Sequence, residues 1–217
     1  MEKTNYQKKL DELLEQVKVS GKKPTLLLHA CCAPCSSYVL EYLTKYFHII
    51  LFYYNPNISP KQEFEKRTRE LQRLVGEMPF EDKPEIIVGE YDQNEFYEIA
   101  KGLEHLPEGG ERCFRCYRLR LEKTAELAAK LGADYFTTTL SISPYKNAQK
   151  LGEIASELSQ IYGVEALPSD FKKKGGYKRS IELSAQYGLY RQDYCGCVYS
   201  KAERDRKKQT QQSEKIL

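Results

Sequence analysis

Seven cysteines, arranged in three groups, are the residues of this chain best suited to chemistry. The first group is Cys31-Cys32-x-x-Cys35, the second is Cys113-x-x-Cys116, and the third is Cys195-x-Cys197. Reducing compartments keep thiols free, and an odd number of cysteines leaves one over, so a framework of structural disulfides is a poor explanation. Metal binding or thiol redox chemistry is the better interpretation.

The first two groups could hold one metal site between them. Four thiolates suit either a tetrahedral zinc ion or an iron–sulfur cluster, and spacing alone does not choose between the two. The adjacent pair Cys31-Cys32 favours a cluster, because neighbouring side chains seldom point at one ion, whereas a cluster offers separate irons to separate thiolates. A structural zinc site, or thiols that are simply buried, is the alternative.

The third group, Cys195-Gly196-Cys197, could form a small disulfide ring. The two cysteines are too close for an unstrained link, and the glycine between them allows the unusual backbone conformation that such a ring requires. A strained disulfide is easily reduced and therefore suits catalysis. The alternative is that both thiols are further metal ligands.

Several polar residues adjoin the cysteines or the predicted strand ends. His29 could be a ligand or a proton donor, but a histidine inside an apolar run is more often a hydrogen-bonded core residue. Asp193 and Tyr194 are candidate acids or ligands, or else ordinary loop residues. For Ser141 and Ser143, substrate contact and simple turn formation are equally good interpretations.

Two basic segments could bind an anionic partner. Residues 172–179 contain five cations and one aromatic ring in eight positions, a composition that suits phosphate contact with base stacking, although charge runs are usually solvated faces. The candidate contacts there are Lys172, Lys173, Lys174, Tyr177, Lys178 and Arg179. The second basic segment interleaves with the second cysteine group and could attract an anionic substrate or hold thiolates deprotonated. Its members are Arg112, Arg115, Arg118 and Arg120.

The elements that must position these residues alternate between strands and helices. A first strand at about 25–30 ends at the first cysteine group, and a helix over 36–47 and a strand over 48–54 complete a β-α-β unit. Such alternation predicts a doubly wound parallel sheet with right-handed crossovers and ligands at the carboxyl edge. The further predicted strands are 85–88, 134–139 and 164–166, and the further predicted helices are 61–75, 92–101, 111–130 and 147–162.

The length of 217 residues suits one domain with a substantial core. We expect a single catalytic domain over 1–200 with an amphipathic N-terminal helix at about 4–19. The polar end, 201–217, is predicted to be a frayed helix or a flexible tail.

The charges exclude a polycationic chain. There are 34 Lys and Arg against 31 Asp and Glu, a net charge of +3, so any nucleic-acid binding must come from local clustering. No apolar run approaches membrane-spanning length, and the N-terminus lacks a signal-type pattern, so we expect a cytoplasmic protein.

Five motifs, in this order along the chain, together resemble the QueH family, the cobalamin-independent epoxyqueuosine reductases. The resemblance covers roughly residues 25–199. The motifs are His29-Ala30-Cys31-Cys32-Ala33-Pro34-Cys35, Tyr54-Asn55-Pro56-Asn57-Ile58, Arg112-Cys113-Phe114-Arg115-Cys116, Thr138-Thr139-Leu140-Ser141-Ile142-Ser143-Pro144 and Tyr194-Cys195-Gly196-Cys197.

The resemblance implies an iron–sulfur oxidoreductase that performs the last step of queuosine synthesis. This step is the two-electron reduction of the epoxide of epoxyqueuosine at the wobble position of tRNA. The partners would be a tRNA anticodon loop, which would meet residues 172–179, and an external electron donor that the sequence does not identify. The expected fold is a Rossmann-like, doubly wound, mainly parallel α/β sheet of the adenine-nucleotide-hydrolase (HUP-like) type, with helices on both faces and the active site at the carboxyl edge.

The resemblance also implies roles for individual residues. Four cysteines would bind a [4Fe-4S] cluster, namely Cys31, Cys32, Cys113 and Cys116. Cys195 and Cys197 would form a redox-active disulfide, and Cys35 would bind an additional iron ion. Our mechanistic hypothesis is that Asp193, or a bound water, protonates the leaving oxygen.

Three other functions compete with this interpretation. A thioredoxin-like thiol-disulfide oxidoreductase would use Cys32-Ala33-Pro34-Cys35, but it leaves Cys31, Cys113 and Cys116 unexplained. An iron–sulfur tRNA-thiolating enzyme would have a glycine-rich phosphate loop after the first strand, where this chain has cysteines, so we do not expect ATP binding. A zinc-stabilised RNA-binding module is the third, and the identity of the metal would discriminate it.

Overall fold

The structure, a computed structural model, describes residues 4–214, and within that range five strands form one parallel sheet. The strands are β1 (Thr25–His29), β2 (His48–Tyr53), β3 (Glu85–Val88), β4 (Tyr135–Thr138) and β5 (Glu165–Ala166). The helices are α1 (Tyr6–Ser20), α2 (Ala33–Leu43), α3 (Lys61–Glu77), α4 (Gln93–Ala100), α5 (Glu111–Leu131), α6 (Ala148–Tyr162), α7 (Gly176–Gln186) and α8 (Val198–Glu214).

The strand order is β3-β2-β1-β4-β5, with all pairs parallel. The chain builds β1, β2 and β3 outward in one direction and then returns to place β4 on the other side of β1. A reversal of this kind opens a crevice at the carboxyl ends of the two central strands. The topology therefore creates a ligand-sized gap between the end of β1 and the end of β4.

The central strand is buried on both faces. Leu26, Leu27 and Leu28 have no exposed surface, and successive side chains along a strand point to opposite faces. Leu26 and Leu28 belong to one core cluster, which includes residues of α1, α2 and α3, whereas Leu27 belongs to another, with residues of α5 and α6. The two clusters explain why β1 is a continuous apolar run rather than an alternating one.

The predicted parallel sheet is confirmed, with differences in the helices. Helix α2 begins at Ala33 rather than 36, because Pro34 suits the first helical turn and Cys32 caps the helix. Helix α7 was not predicted. Its two glycines look like a chain break, but Gly175 takes a positive φ of 77° just before the helix begins.

The C-terminal end, predicted as a frayed helix or a flexible tail over 201–217, continues as α8 to Glu214. This helix begins before the predicted domain boundary at 200. Residues 1–3 and 215–217 lie outside the described residues. No helix in the described range is both long enough and apolar enough to cross a membrane.

Candidate active site

Three thiols gather where β1 passes into α2. The sulfur atoms of Cys31, Cys32 and Cys35 all lie within 4.8 Å of one another. Cys31 follows the strand, Cys32 is the N-cap of the helix, and the backbone N–H of Cys35 donates to the Cys32 sulfur at 3.4 Å. The positive end of a helix favours thiolates, so the first turn of α2 both positions these sulfurs and stabilises their charge.

Hydrogen bonds between the three sulfurs shift the pKa of each thiol. A hydrogen bond from Cys31 lowers the pKa of the Cys32 thiol and raises the pKa of Cys31 itself, and hydrogen bonds to Cys31 and Cys32 raise the pKa of Cys35. A cation is needed before all three can be thiolates together. Close, largely buried soft donors of this kind fit a thiophilic metal ion or an iron–sulfur cluster.

The group lies in the crevice between the two central strands. Thr139, which directly follows β4, accepts a hydrogen bond at Oγ1 from the backbone N–H of Cys31 at 3.1 Å and donates to the Cys31 sulfur at 3.3 Å. These contacts fix the end of β1 to the end of β4. The thiols thus occupy the point where the strand order reverses, which is the usual ligand position in an open parallel sheet.

His29 links the strand ends beneath the three thiols by hydrogen bonds. Its Nε2 lies 3.0 Å from the carbonyl oxygen of Tyr54, which can only accept, so Nε2 donates and Nδ1 accepts from the Thr138 hydroxyl at 2.8 Å. Burial, with a contribution from Arg120, lowers the pKa of His29 to about 3. The neutral ring joins the ends of three strands, which confirms the interpretation of His29 as a hydrogen-bonded core residue.

A cavity of about 550 Å³ separates the first cysteine group from Cys195. This volume is typical of sites for small organic molecules. Ser143, Tyr145 and Tyr177 are among its lining residues, as are side chains of the segment before Cys195 and of helix α8. One cavity therefore exposes the candidate metal ligands and one candidate redox thiol to the same bound molecule.

The second cysteine group lies in the first turns of α5. Burial raises the pKa of the Cys113 thiol and raises that of Cys116 to about 12. Both line a smaller cavity together with Cys195 and Cys197, and that cavity shares Arg120 and Lys146 with the larger one.

The predicted four-ligand set is not gathered in the way the first group is. Within residues 4–214, Cys31, Cys32 and Cys35 are the only metal-ligating side chains that form so close a group. Cys35, which is predicted to bind an additional iron ion, lies beside the first pair. Among the cysteines, Cys195 is the one that borders both cavities.

The Cys195-Gly196-Cys197 loop, whose cysteines are free thiols here, is held through its backbone. Arg67, buried in α3, donates to the carbonyl of Cys195 at 3.0 Å, and the N–H of Ser59 donates to the carbonyl of Gly196 at 3.0 Å. Gly196 has a φ of 127°, and a Cβ there would lie 2.9 Å from Ile58 Cγ1. Glycine is therefore required at this position for two reasons, the positive φ and the lack of space for a Cβ.

Lys146 adds a buried cation beside Cys195. Its ammonium donates to the Cys195 sulfur at 3.3 Å and to Glu108 at 2.7 Å. Burial acts to lower the pKa of Lys146, but the opposing charges of Cys195, Tyr117 and Glu108 raise it overall. Lys146 therefore stays charged and places a positive charge beside the Cys195 sulfur. Nothing in the local sequence distinguishes it from an ordinary surface lysine.

Arg120 is a second buried cation, one turn after Cys116 on α5. It donates from Nε to the carbonyl of Cys116 and from Nη1 to Asn55 Oδ1, both at 3.3 Å, while its buried Nη2 has no hydrogen-bond partner within residues 4–214. Burial opposes its charge, but the thiols, Cys116 foremost, raise its pKa. A buried guanidinium with a free donor between the cysteine groups fits an anionic bound group such as a thiolate-ligated cluster.

Asp193 lies at the mouth of the larger cavity. It accepts hydrogen bonds from Lys208, at 2.6 Å, and from Arg204. The Lys208 hydrogen bond, together with the charge of Arg204, holds the pKa of Asp193 below its usual range. An ionised carboxylate is a poor proton donor at neutral pH, which argues against the acid role that its position in the sequence indicates.

Two of the predicted substrate contacts are buried structural residues. Ser141 lies 3.1 Å from Ser169 Oγ and accepts from the N–H of Phe171, so its hydroxyl closes a loop and does not line the cavity. Arg112 is buried and donates to carbonyls before α5, including that of Glu104 at 2.9 Å. Arg115 pairs with Glu111 outside both cavities. Ser143 and Tyr177 do line the larger cavity.

The cations of residues 172–179 are largely neutralised by nearby carboxylates. Lys172 pairs with Asp170, Lys174 with Asp11 at 2.7 Å, and Arg179 with Glu41 at 2.6 Å. Lys173 and Lys178 are exposed and form no ion pair with any residue in 4–214. Tyr177 alone from this segment lines the larger cavity.

Sequence reasoning missed the cations that do line the cavity mouth. They come from the segment before Cys195 and from α8, and they are Arg191, Arg204, Lys207 and Lys208. The last three recur at positions 204, 207 and 208, which is the spacing of one helix face. This helical periodicity is the feature of the sequence from which a cationic helix face could have been predicted.

Comparison with known proteins points in one direction. The family model described as "Epoxyqueuosine reductase QueH" matches residues 26–203. Three relatives with that description come from Streptococcus pyogenes serotype M1, Staphylococcus epidermidis and Thermotoga maritima. The first is 41% identical over 201 residues (92% of this chain, 79% of the relative), the second 44% over 205 (92% and 85%), and the third 39% over 189 (84% and 93%).

A solved structure with a similar fold illustrates the architecture. It is the U34-tRNA thiolase NcsA from Methanococcus maripaludis with its [4Fe-4S] cluster, which matches with a TM-score of 0.51 and 11% identity, over 90% of this chain and 68% of that chain. At this identity the likeness concerns the α/β architecture alone.

Proposed function

Because the chain belongs to the family of epoxyqueuosine reductases, QueH, and is an oxidoreductase of queuosine biosynthesis, we propose that it acts on epoxyqueuosine at the wobble position of a tRNA. The reaction is the two-electron reduction of the epoxide to the cyclopentene of queuosine. The observation that carries this proposal is the cavity with the thiols of Cys31, Cys32 and Cys35 on one wall and Cys195 on another.

The dithiol of Cys195 and Cys197 supplies the electrons and protons that the reaction consumes. Both carbon–oxygen bonds of the epoxide break, a carbon–carbon double bond forms, and the oxygen leaves as water with two protons. The two thiols supply the two electrons and two protons as they become a disulfide. An external thiol or electron carrier then returns the pair to the dithiol.

We assign the cofactor to the cysteines of the crevice and of α5. Cys31, Cys32 and Cys35 form the nucleus of the site because they are already gathered, and Cys113 and Cys116 supply further thiolates. A [4Fe-4S] cluster with an additional iron, the cofactor that the family resemblance implies, supplies single electrons and a Lewis acid for the epoxide oxygen when bound. The sheet itself is of the adenine-nucleotide-hydrolase type.

The chain's own charged residues prepare the thiols. The ammonium of Lys146 donates to the Cys195 sulfur and stabilises negative charge that develops there during the reaction, and Glu108 keeps that ammonium in place. Arg67 fixes the loop carbonyl, so the sulfur stays directed at the cavity. Proton donation by Asp193 stays a prediction. The lowered pKa of the Asp193 carboxyl makes a bound water the better candidate acid. A pH profile of turnover unchanged in Asp193→Asn would exclude Asp193.

Metal analysis tests the cofactor assignment. Protein purified without oxygen should contain about four or more irons with matching sulfide, and dithionite should bleach its visible absorption. Stoichiometric zinc without sulfide would contradict the reductase mechanism and favour a zinc-stabilised RNA-binding module.

Two cysteine variants separate the roles. With tRNA bearing epoxyqueuosine as substrate, mass spectrometry of the nucleoside detects loss of one oxygen atom. Cys195→Ser should abolish turnover and keep its iron, whereas Cys31→Ser should lose iron as well as turnover. Lys130→Gln is the matched surface control, since Lys130 lies in the last turn of α5, away from the cavity. Full turnover by Cys195→Ser would exclude the dithiol step.

A further inference from the structure

We propose that the cation-rich face of α8 at the cavity mouth, formed by Arg204, Lys207 and Lys208, binds backbone phosphates of the substrate RNA. In the free protein Asp193 occupies the place of such a phosphate. This inference rests on the proposed function, because it takes a tRNA anticodon loop as the ligand, and it moves the RNA contact away from residues 172–179.

Two cations of α8 converge on one carboxylate. Arg204 and Lys208 are one helical turn apart, and each bonds a different oxygen of Asp193, with Lys208 Nζ at 2.6 Å from Oδ2. The guanidinium of Arg204 also lies 4.9 Å from the ring centroid of Tyr194, which orients it. A phosphate presents paired anionic oxygens in the same way, so it can replace the carboxylate on both cations.

The cavity concentrates the positive charge of the molecule. Its lining contains six cations and three carboxylates, an excess equal to the net charge of +3 for the whole chain. Such an excess in a concave site attracts a polyanion. The cations are Arg120, Lys146, Arg191, Arg204, Lys207 and Lys208, and the carboxylates are Glu108, Asp193 and Glu203.

The position of α8 suits a nucleotide whose base enters the cavity. The helix begins directly after Cys197, so phosphate contacts at its exposed face and the redox thiols belong to one continuous segment. A base taken out of its stack leaves its phosphates at the mouth of the pocket that receives it. Tyr145, which is 77% exposed and lines the same cavity, offers a ring for a neighbouring base.

The competing segment 172–179 is less suited to this role. Three of its five cations pair with carboxylates, as the α8 cations also do, but none of the five lines the cavity, whereas the three α8 cations do. An RNA phosphate there would have to displace Asp170, Asp11 or Glu41, and none of these carboxylates lines the cavity that contains the thiols.

Binding of an anticodon stem-loop RNA tests the inference. Its affinity is measured by fluorescence anisotropy across a range of salt concentrations. In Arg204→Gln/Lys208→Gln we expect binding on the order of tenfold weaker and a salt dependence reduced by roughly 1.4 in slope, about 0.7 for each lost phosphate contact. The control Lys45→Gln/Lys130→Gln removes the same charge at the amino edge of the sheet, where Lys45 precedes β2 and Lys130 lies in the last turn of α5.

Asp193→Asn should change the RNA affinity in the opposite direction. Removing the competing carboxylate should strengthen RNA binding by roughly two- to tenfold, and neutralising a half-exposed side chain leaves the fold intact, as thermal unfolding can verify. Unchanged or weaker binding in Asp193→Asn would show that this carboxylate does not compete with phosphate.

The outcomes separate this inference from the proposed function. If wild-type protein does not bind the stem-loop at any salt concentration, the RNA substrate itself is wrong. If wild type binds and the α8 variant matches the control variant, the α8 surface is wrong. If Lys173→Gln/Lys178→Gln weakens binding and the α8 variant does not, the contact returns to residues 172–179.

Discussion

Two full charges, Arg120 and Lys146, are buried beside the cysteines. A buried cation is costly unless an anion faces it, and the anions available to Lys146 are Glu108 and the Cys195 sulfur. For Arg120 the anions would be metal-bound thiolates and any anionic group that these bind, because burial raises the pKa of the free Cys116 thiol to about 12. The placement of both cations therefore follows from the chemistry of the thiols rather than from the stability of the fold.

Lys146→Gln should slow the reaction of Cys195 with iodoacetamide at neutral pH by about tenfold, because the Cys195 sulfur loses the ammonium group that donates to it. Mass spectrometry of the peptide that contains Cys195 follows the rate. Lys150→Gln, on the next turn and paired with Glu153 at 3.3 Å, is the control and should react as wild type does. Equal rates in both variants would remove Lys146 from the site.

His29 gives the molecule a pH-dependent stability. Its pKa is about 3 when folded against 6.5 when unfolded, so between these values the unfolded chain binds more protons. His29 therefore destabilises the fold increasingly as the pH falls from 6.5 towards 3.

Substitution by glutamine removes this titration. His29→Gln should be less stable than wild type at pH 7.5, because hydrogen bonds are lost, but the difference should shrink by several kcal/mol at pH 4. Urea unfolding at the two pH values measures it, and the thiols contribute equally to both proteins. A difference that does not change with pH would mean that His29 does not remain neutral.

At the scale of elements, the loop that contains Cys195 depends on helix α3. Arg67 bonds Glu63 at 2.7 Å through Nε and the Cys195 carbonyl through Nη1, so one side chain ties the loop to the helix. A lysine reaches only one of these partners with a single ammonium.

Arg67→Lys should lower the free energy of unfolding by about 2 kcal/mol and increase the alkylation rate of the loop thiols, since the loop is held less firmly. Thermal unfolding and the rate of thiol labelling are the measurements. The neighbouring Arg69→Lys, at an exposed position of α3, should change neither.

Gly196→Ala tests the same anchor from the side of the loop. The new Cβ would meet Ile58 at 2.9 Å, and φ at this position is 127°, so we expect a loss of about 1 to 3 kcal/mol. Gly188→Ala, where φ is 54° and nothing lies within 4 Å, controls for the effect of positive φ alone. An equal loss in both variants would show that the contact with Ile58 is unimportant.

The sequence allowed the sheet to be predicted because its first two strands, β1 and β2, are largely apolar runs with clear turn signals at their ends. It did not allow α7 to be predicted, since two glycines conceal the helix start. It placed the first cysteines at a strand end, but not beside Thr139, which is 108 residues away. Contacts of that range, and the burial of Lys146, depend on tertiary packing that no local pattern encodes.

At the scale of the molecule, the site joins the two halves of the sheet. A ligand that binds the folded state and not the unfolded state stabilises it in proportion to the logarithm of its concentration. We therefore expect chelation of the metal to lower the midpoint of thermal unfolding. The loss corresponds to about 3 kcal/mol for a metal present at a hundred times its dissociation constant.

Cys35→Ser tests this coupling. It should show a smaller decrease on chelation than wild type if Cys35 is a ligand, and calorimetry before and after chelation measures both proteins. Cys113→Ser distinguishes the α5 thiols in the same way. A Cys35→Ser protein that loses as much stability as wild type would show that this thiol binds no metal.

The spacing of the thiols along the chain also sets the order in which the site is assembled. Cys31, Cys32 and Cys35 lie within five residues, so a metal can join them with almost no loss of chain entropy, whereas the wall that contains Cys195 must be brought back across most of the chain. On a growing polypeptide the first three thiols emerge long before Cys195 is made. The turn that contains these three thiols is thus made before the wall that carries Cys195, and the final helix closes the cavity afterwards.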